Sequence, residues 1–113
     1  MIKIYHNNRC SKSREACSIL TDKKIVFETI DYLKNPPSEN ELKKMLKMLG
    51  MKAENIVRKN ESLYKEKFSE KSFSESEWIK ILTKNPILME RPIVINGNKA
   101  VIGRPPENVL QII

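Results

Sequence analysis

The residues best placed to do chemistry form the stretch His6-Asn7-Asn8-Arg9-Cys10-Ser11-Lys12-Ser13-Arg14. It follows a β-rich run, Ile2, Ile4 and Tyr5, and precedes a run in which Ala16, Ile19 and Leu20 recur at helical spacing. Cys10 therefore falls where a strand gives way to a helix. The first N–H groups of a helix lack internal partners, and the helix dipole places partial positive charge there. Both effects favour a thiolate. A free cysteine titrates near pH ~8.5, and a helix N-terminus flanked by cations lowers this to about 3.5–7.5. Arg9, Lys12 and Arg14 are the neighbouring cations. The exposed N–H groups, with the Ser11 and Ser13 hydroxyls, would make a concavity for an oxyanion. A cysteine can instead be a small buried hydrophobe, but the polar, cationic neighbours of Cys10 argue for a sulfur at the surface. His6, four residues before Cys10, would either lower the thiol's pKa or simply order the loop.

The elements that must position this stretch are legible further along. A helix from just after Cys10 to near Asp22, the turn Lys23-Lys24 and a strand over 25–30 make a βαβ unit with a parallel strand pair. That places Cys10 at the carboxyl end of the first strand, where α/β sheets bind ligands. Asn35-Pro36-Pro37 ends this half. Ser38 with Glu41, and Ser74 with Glu77, are capping boxes that open two helices, the first with the stripe Leu42, Met45, Leu46, Leu49 and a stop at Gly50, the second with Trp78, Ile81 and Leu82 inward. Met45, Met48 and Met51 read as core packing. The residues between these helices, 53–67, read as short helical turns. Ile93-Val94-Ile95, Asn96-Gly97-Asn98 and Ala100-Val101-Ile102 make a hairpin. Gly103-Arg104-Pro105-Pro106 leads into a last helix with Val109, Leu110 and Ile113 inward. The order β α β, helical insertion over about 38–84, β β α is that of an α/β protein with a thioredoxin-like mixed four-stranded sheet flanked by helices.

With 113 residues the chain fits a single domain, 1–113. No run approaches the roughly 18 apolar residues of a membrane span, and the N-terminal strand lacks the apolar core of a signal peptide, so a cytoplasmic protein with no membrane partner is expected. In that setting Cys10 and Cys17 should be thiols. Two turns of helix also hold them about 10 Å apart, beyond disulfide reach, and Cys17 reads as a core residue. The net charge of +7 comes from 21 basic residues against 14 acidic ones. The lysines are interleaved with glutamates and few aromatics accompany them, so they read as solvated faces rather than a nucleic-acid surface. The arginines are fewer, and a guanidinium fork suits bidentate recognition of an oxyanion. Arg9 and Arg14 flank Cys10, Arg58 follows Ile56-Val57, and Arg91 and Arg104 bracket the hairpin. Arg91, just before Pro92, would approach the cysteine loop.

The segments 6–14, Val57-Arg58-Lys59-Asn60, the run 85–94 with Arg91-Pro92-Ile93-Val94, and Gly103-Arg104-Pro105-Pro106-Glu107, in this order, resemble the glutaredoxin-linked arsenate reductase family. The resemblance implies that Cys10 attacks arsenate, that Arg58, Arg91 and Arg104 hold the oxyanion, and that glutathione and glutaredoxin resolve the adduct. Glutathione would be a co-substrate, with no bound cofactor or metal and no second cysteine required. His6, Ser13 and Arg14 would support the site. Two alternatives share the cysteine loop: a glutathione-dependent thiol reductase without arsenate activity, and an Spx-type regulator that binds RNA polymerase. Spx-type switches use Cys-x-x-Cys, and Ser13 stands at the second position here. Arg104 within Gly-Arg-Pro resembles the reductase branch.

Overall fold

The computed structural model describes residues 1–113, which form two compact units, Met1–Asn35 with Arg91–Ile113, and Pro36–Glu90.

The first unit is built on a four-stranded sheet in the order β2-β1-β3-β4, with β1 at Ile2–His6, β2 at Phe27–Asp31, β3 at Ile93–Asn96 and β4 at Lys99–Ile102. β1 runs parallel to β2, in register from Ile2 opposite Phe27 to His6 opposite Asp31, and antiparallel to β3. This is the mixed, thioredoxin-like sheet expected from the element order. Helix α1, Ser11–Asp22, is the crossover from β1 to β2. Ile2 and Ile4 on one face of β1 pack with Ala16 and Leu20 of α1, Val94 of β3, and Val109 and Ile112. Each Ile, Leu or Val side chain so buried contributes about 1.5–3 kcal/mol, so the helix bearing the cysteine loop is held tightly on the sheet.

Three details of this unit depart from the sequence reading. Ile25 and Val26 precede β2 rather than begin it, and Val26 is 74% exposed. Gly97 and Asn98 alone form the hairpin turn, since Asn96 pairs with Lys99, and Gly97 supplies the positive φ of +64°. The last helix is a 3-10 helix, Pro106–Gln111. Its period of three aligns Pro106, Val109 and Ile112 inward and leaves Leu110 and Ile113 exposed, in place of the Val109, Leu110, Ile113 set expected of an α-helix.

The second unit is helical: α2 at Glu39–Leu49, α3 at Ser62–Lys67 and α4 at Glu75–Lys84, with short 3-10 turns at Ala53–Ile56 and Pro86–Leu88. Both capping boxes form, Ser38 with Glu41 and Ser74 with Glu77, each side chain accepting the other residue's N–H. Gly50 ends α2 in the left-handed conformation. Leu42, Met45 and Leu46 are buried on α2, while Met51 is exposed. On α4 the buried set is Trp78, Ile79 and Leu82, with Ile81 only half-buried. Trp78 gathers Tyr64, Phe68 and Phe73 around it, ring centroids 4.9–6.4 Å away. No helix is long and apolar enough to cross a membrane.

Candidate active site

Cys10 occupies the N-cap position of α1, with φ −94° and ψ 119°. An N-cap side chain faces the N–H groups two and three residues on. The thiol makes no cap hydrogen bond, yet the backbone N–H groups of Ser13 and Lys12 face the sulfur and favour its charged form. The loop is fixed from both sides, Cys10 N–H donating to the Asn7 carbonyl and Arg14 N–H to the Cys10 carbonyl, each at 3.0 Å.

The sulfur is less accessible than its sequence neighbours suggest: Cys10 is only 5% exposed. Its cover is polar. Arg104 Nη2 donates to Cys10 Sγ at 3.4 Å, and Arg104 Nε donates to the Arg91 carbonyl at 2.8 Å. The two arginines stand on the segments that enter and leave the β3–β4 hairpin, each followed by a cis peptide bond to proline, Arg91-Pro92 and Arg104-Pro105. Gly103 N–H donates to the Pro92 carbonyl at 2.9 Å and ties these segments together. A Cβ on Gly103 would stand 2.8 Å from Pro92 Cγ, so only glycine permits this approach. Burial is the largest influence on Cys10 and pushes its pKa up. The Ser13 N–H, the Arg91 and Arg104 guanidinium charges and the Lys12 N–H together outweigh it, and the thiol is held below the usual cysteine range.

The cations nearest in sequence do not reach the sulfur. Arg14 donates to the Asn8 carbonyl at 2.8 Å, and Lys12 pairs with Glu15 at 3.6 Å on an exposed face. Arg9 is also exposed. Helix geometry explains this: side chains that flank an N-cap radiate outward, whereas its N–H groups point along the axis.

His6 does not touch Cys10 either. Its Nδ1 lies 2.6 Å from Ser13 Oγ and 3.7 Å from Cys17 Sγ. Ser13 is fully buried and its Oγ also accepts the Asn7 N–H at 3.1 Å. The hydroxyl expected to face an anion is thus spent inside the loop, and the backbone N–H of Ser13 faces the sulfur instead. A sequence signal for this existed: Ser13, Ala16 and Leu20 share one helical stripe, and a hydroxyl on a buried stripe must find a partner. Cys17 is half-buried against the core and burial pushes its thiol up. Both cysteines are free thiols.

Arg58 belongs to the helical unit. Its Nη1 pairs with Glu61 at 3.4 Å and lies 3.4 Å from the Ile87 carbonyl, and its N–H donates to the Leu88 carbonyl at 2.7 Å. The site that the sheet unit assembles therefore consists of Cys10, Arg91, Arg104 and the N–H groups of Lys12 and Ser13: a cysteine sulfur among donors that favour its charged form and could also receive an oxyanion.

Known proteins carry the same arrangement of sequence. The chain is 47% identical to the uncharacterized protein YfgD of Escherichia coli strain K12, over 99% of this chain and 96% of that one. It is 44% identical to the arsenate reductase of Haemophilus influenzae, over 97% of each. It superposes on the structure of the arsenate reductase from Vibrio cholerae with a TM-score of 0.94 and 40% identity, covering 99% of this chain and 97% of that one. The ArsC family model matches residues 5–112, from the strand before the cysteine to the 3-10 turn after Arg104, and on that match the chain belongs to the ArsC family.

Proposed function

We propose that this protein is an arsenate reductase whose nucleophile is Cys10. The observation that carries the reading is the Arg104 guanidinium 3.4 Å from the Cys10 sulfur, with Arg91 and two backbone N–H groups around it. Such surroundings favour the thiolate without a general base, and the donors that hold the sulfur are the ones an incoming oxyanion would meet. The thiolate attacks the arsenic of arsenate, a sulfur–arsenic bond forms, and an oxygen departs as hydroxide. Each well-placed donor to the developing charge is commonly worth a few kcal/mol.

Glutathione then attacks the adduct. The sulfur–sulfur bond formed between Cys10 and glutathione gives up the two electrons that take arsenic from the +5 to the +3 state, and arsenite leaves. A glutaredoxin thiol removes the glutathione and returns Cys10 to its reduced form. No second cysteine of this chain takes part. Arg58, whose Nη1 pairs with Glu61, enters as a third oxyanion donor through the family resemblance alone. A cycle that runs on reduced thiols suits the cytoplasm.

The test is NADPH consumption in a coupled assay with arsenate, glutathione, glutaredoxin and glutathione reductase. Arsenate-dependent turnover is expected, abolished in Cys10→Ser and sharply reduced in Arg91→Ala. Turnover that persists in Cys10→Ser removes the mechanism. Thiol exchange that proceeds at the same rate with or without arsenate identifies a thiol reductase instead.

A further inference from the structure

The parallel register that ends β1 at His6 and β2 at Asp31 side by side sets two loops against each other. One is Asn7-Asn8-Arg9, immediately before the nucleophile. The other is the turn after β2, fixed by Lys34 and Asn35 N–H groups on the Asp31 carbonyl and by the Leu33 N–H on Asp31 Oδ1. Together Asn7, Asn8, Arg9, Asp31, Leu33 and Lys34 line a surface cavity of about 480 Å³. Neither the Arg9 guanidinium nor the Lys34 ammonium is among the chain's ion pairs. Arg9 N–H donates to Asn7 Oδ1 at 2.9 Å, which fixes the loop and leaves the Asn7 amide nitrogen for a ligand.

We infer that this cavity is the glutathione site, with Arg9 and Lys34 receiving the two carboxylates and Asp31 the ammonium. The reading rests on the proposed function for the identity of the thiol, and the cavity adds the match of charge. Its walls carry two cations and one anion. Glutathione carries two anions and one cation. A guanidinium fork suits a carboxylate bidentately, and Asp31, already accepting an N–H, has a second oxygen for the ammonium. Because Arg9 directly precedes Cys10 in the chain, a peptide anchored here lies against the loop that carries the nucleophile. This gives Arg9 the task its distance from the sulfur leaves open.

The test uses disulfide exchange without arsenate. The Cys10 thiolate attacks one sulfur of oxidised glutathione, a Cys10–glutathione bond forms, the original disulfide breaks, and one glutathione thiolate leaves. The rate is measured by mass spectrometry and divided by the rate with 2-hydroxyethyl disulfide, which has no charges, so that any change in the cysteine itself cancels. The ratio is expected to fall about tenfold in the Arg9→Gln/Lys34→Gln double variant, the factor that two exposed ion pairs together supply, and to recover in Arg9→Lys/Lys34→Arg. Asp31→Asn should erase the preference for oxidised glutathione over its N-acetylated form. A ratio within twofold of wild type in the double variant overturns the site. Since no arsenate is present, the site stands or falls apart from the arsenate reading: wild-type arsenate turnover with an unchanged ratio removes the cavity alone.

Discussion

Arg104→Ala is the sharpest perturbation, because it removes a guanidinium hydrogen-bonded to the sulfur, together with its bond to the Arg91 carbonyl. At the observed 3.4 Å, Coulomb's law gives about 1 kcal/mol at the dielectric constant of water and about 5 at an effective constant of 20. Arg104 is an exposed residue and its bond to the sulfur is only part-buried, so solvent screening places the pair near the lower end, roughly 1–2 kcal/mol. The charge stabilises the thiolate over the thiol, so its loss raises the cysteine's pKa. On the acid side of the titration, where the thiolate is the minor form, its population falls about tenfold. Alkylation by iodoacetamide reads that population without arsenate or glutathione. Its rate against pH should show the wild-type midpoint below that of a free cysteine, and the Arg104→Ala midpoint moved upward with about a tenfold slower reaction below it. Arg14→Ala, whose guanidinium serves the Asn8 carbonyl, should move the midpoint far less. Superimposable profiles for wild type and Arg104→Ala would refute the claim that this arginine holds the thiolate.

Gly103→Ala forces a Cβ against the Pro92 ring, at 2.8 Å in the present geometry, and should cost about 1–3 kcal/mol by overpacking; denaturant unfolding measures this, and because Arg91 and Arg104 flank the contact, alkylation of Cys10 should slow as well. Ser13→Ala removes the hydroxyl that bonds the Asn7 N–H and His6 Nδ1 in a part-buried loop and should cost about 1 kcal/mol, read as a fall in Tm of several degrees. A pH series of unfolding free energies compares wild type with Cys10→Ser. The folded cysteine releases its proton at lower pH than the unfolded one, so the unfolded chain binds more protons between the two values and wild-type stability rises with pH there. Its advantage should be fully present above the unfolded cysteine's range and vanish as pH falls through the folded value; an advantage that grows toward acid would reverse the assignment.

The parts of this fold written in nearest neighbours could be read from the chain, and those written in long-range contacts could not. The capping boxes at Ser38 and Ser74 and the stop at Gly50 involve partners within four residues, and they formed as read. The βαβ unit followed from period and length alone. The last helix failed because Val109, Leu110 and Ile113 suit an α-helical face, whereas the chain, entering through Pro105 and Pro106, closes as a 3-10 helix that aligns every third residue. Ile79 replaced Ile81 in the core for a related reason: an apolar stripe on a short helix is compatible with more than one rotation, and the packing of Trp78 among three aromatic rings fixes which is used.

The same division runs through the active site. That Cys10 would sit at a helix N-terminus was a local inference, and the N–H groups of Lys12 and Ser13 do face it. Which cations would neutralise it was not local. The adjacent Lys12 and Arg14 find partners elsewhere, while Arg104 arrives from 94 residues further along the chain. Only the pairing of β1 with β3 brings it there. The sheet register is therefore part of what assembles the proposed active site. A one-residue slip of β3 on β1 would turn every β3 side chain to the opposite face, carry the Pro92 and Gly103 segments with it, and take both guanidinium groups off the thiolate, although no residue of the cysteine loop had changed.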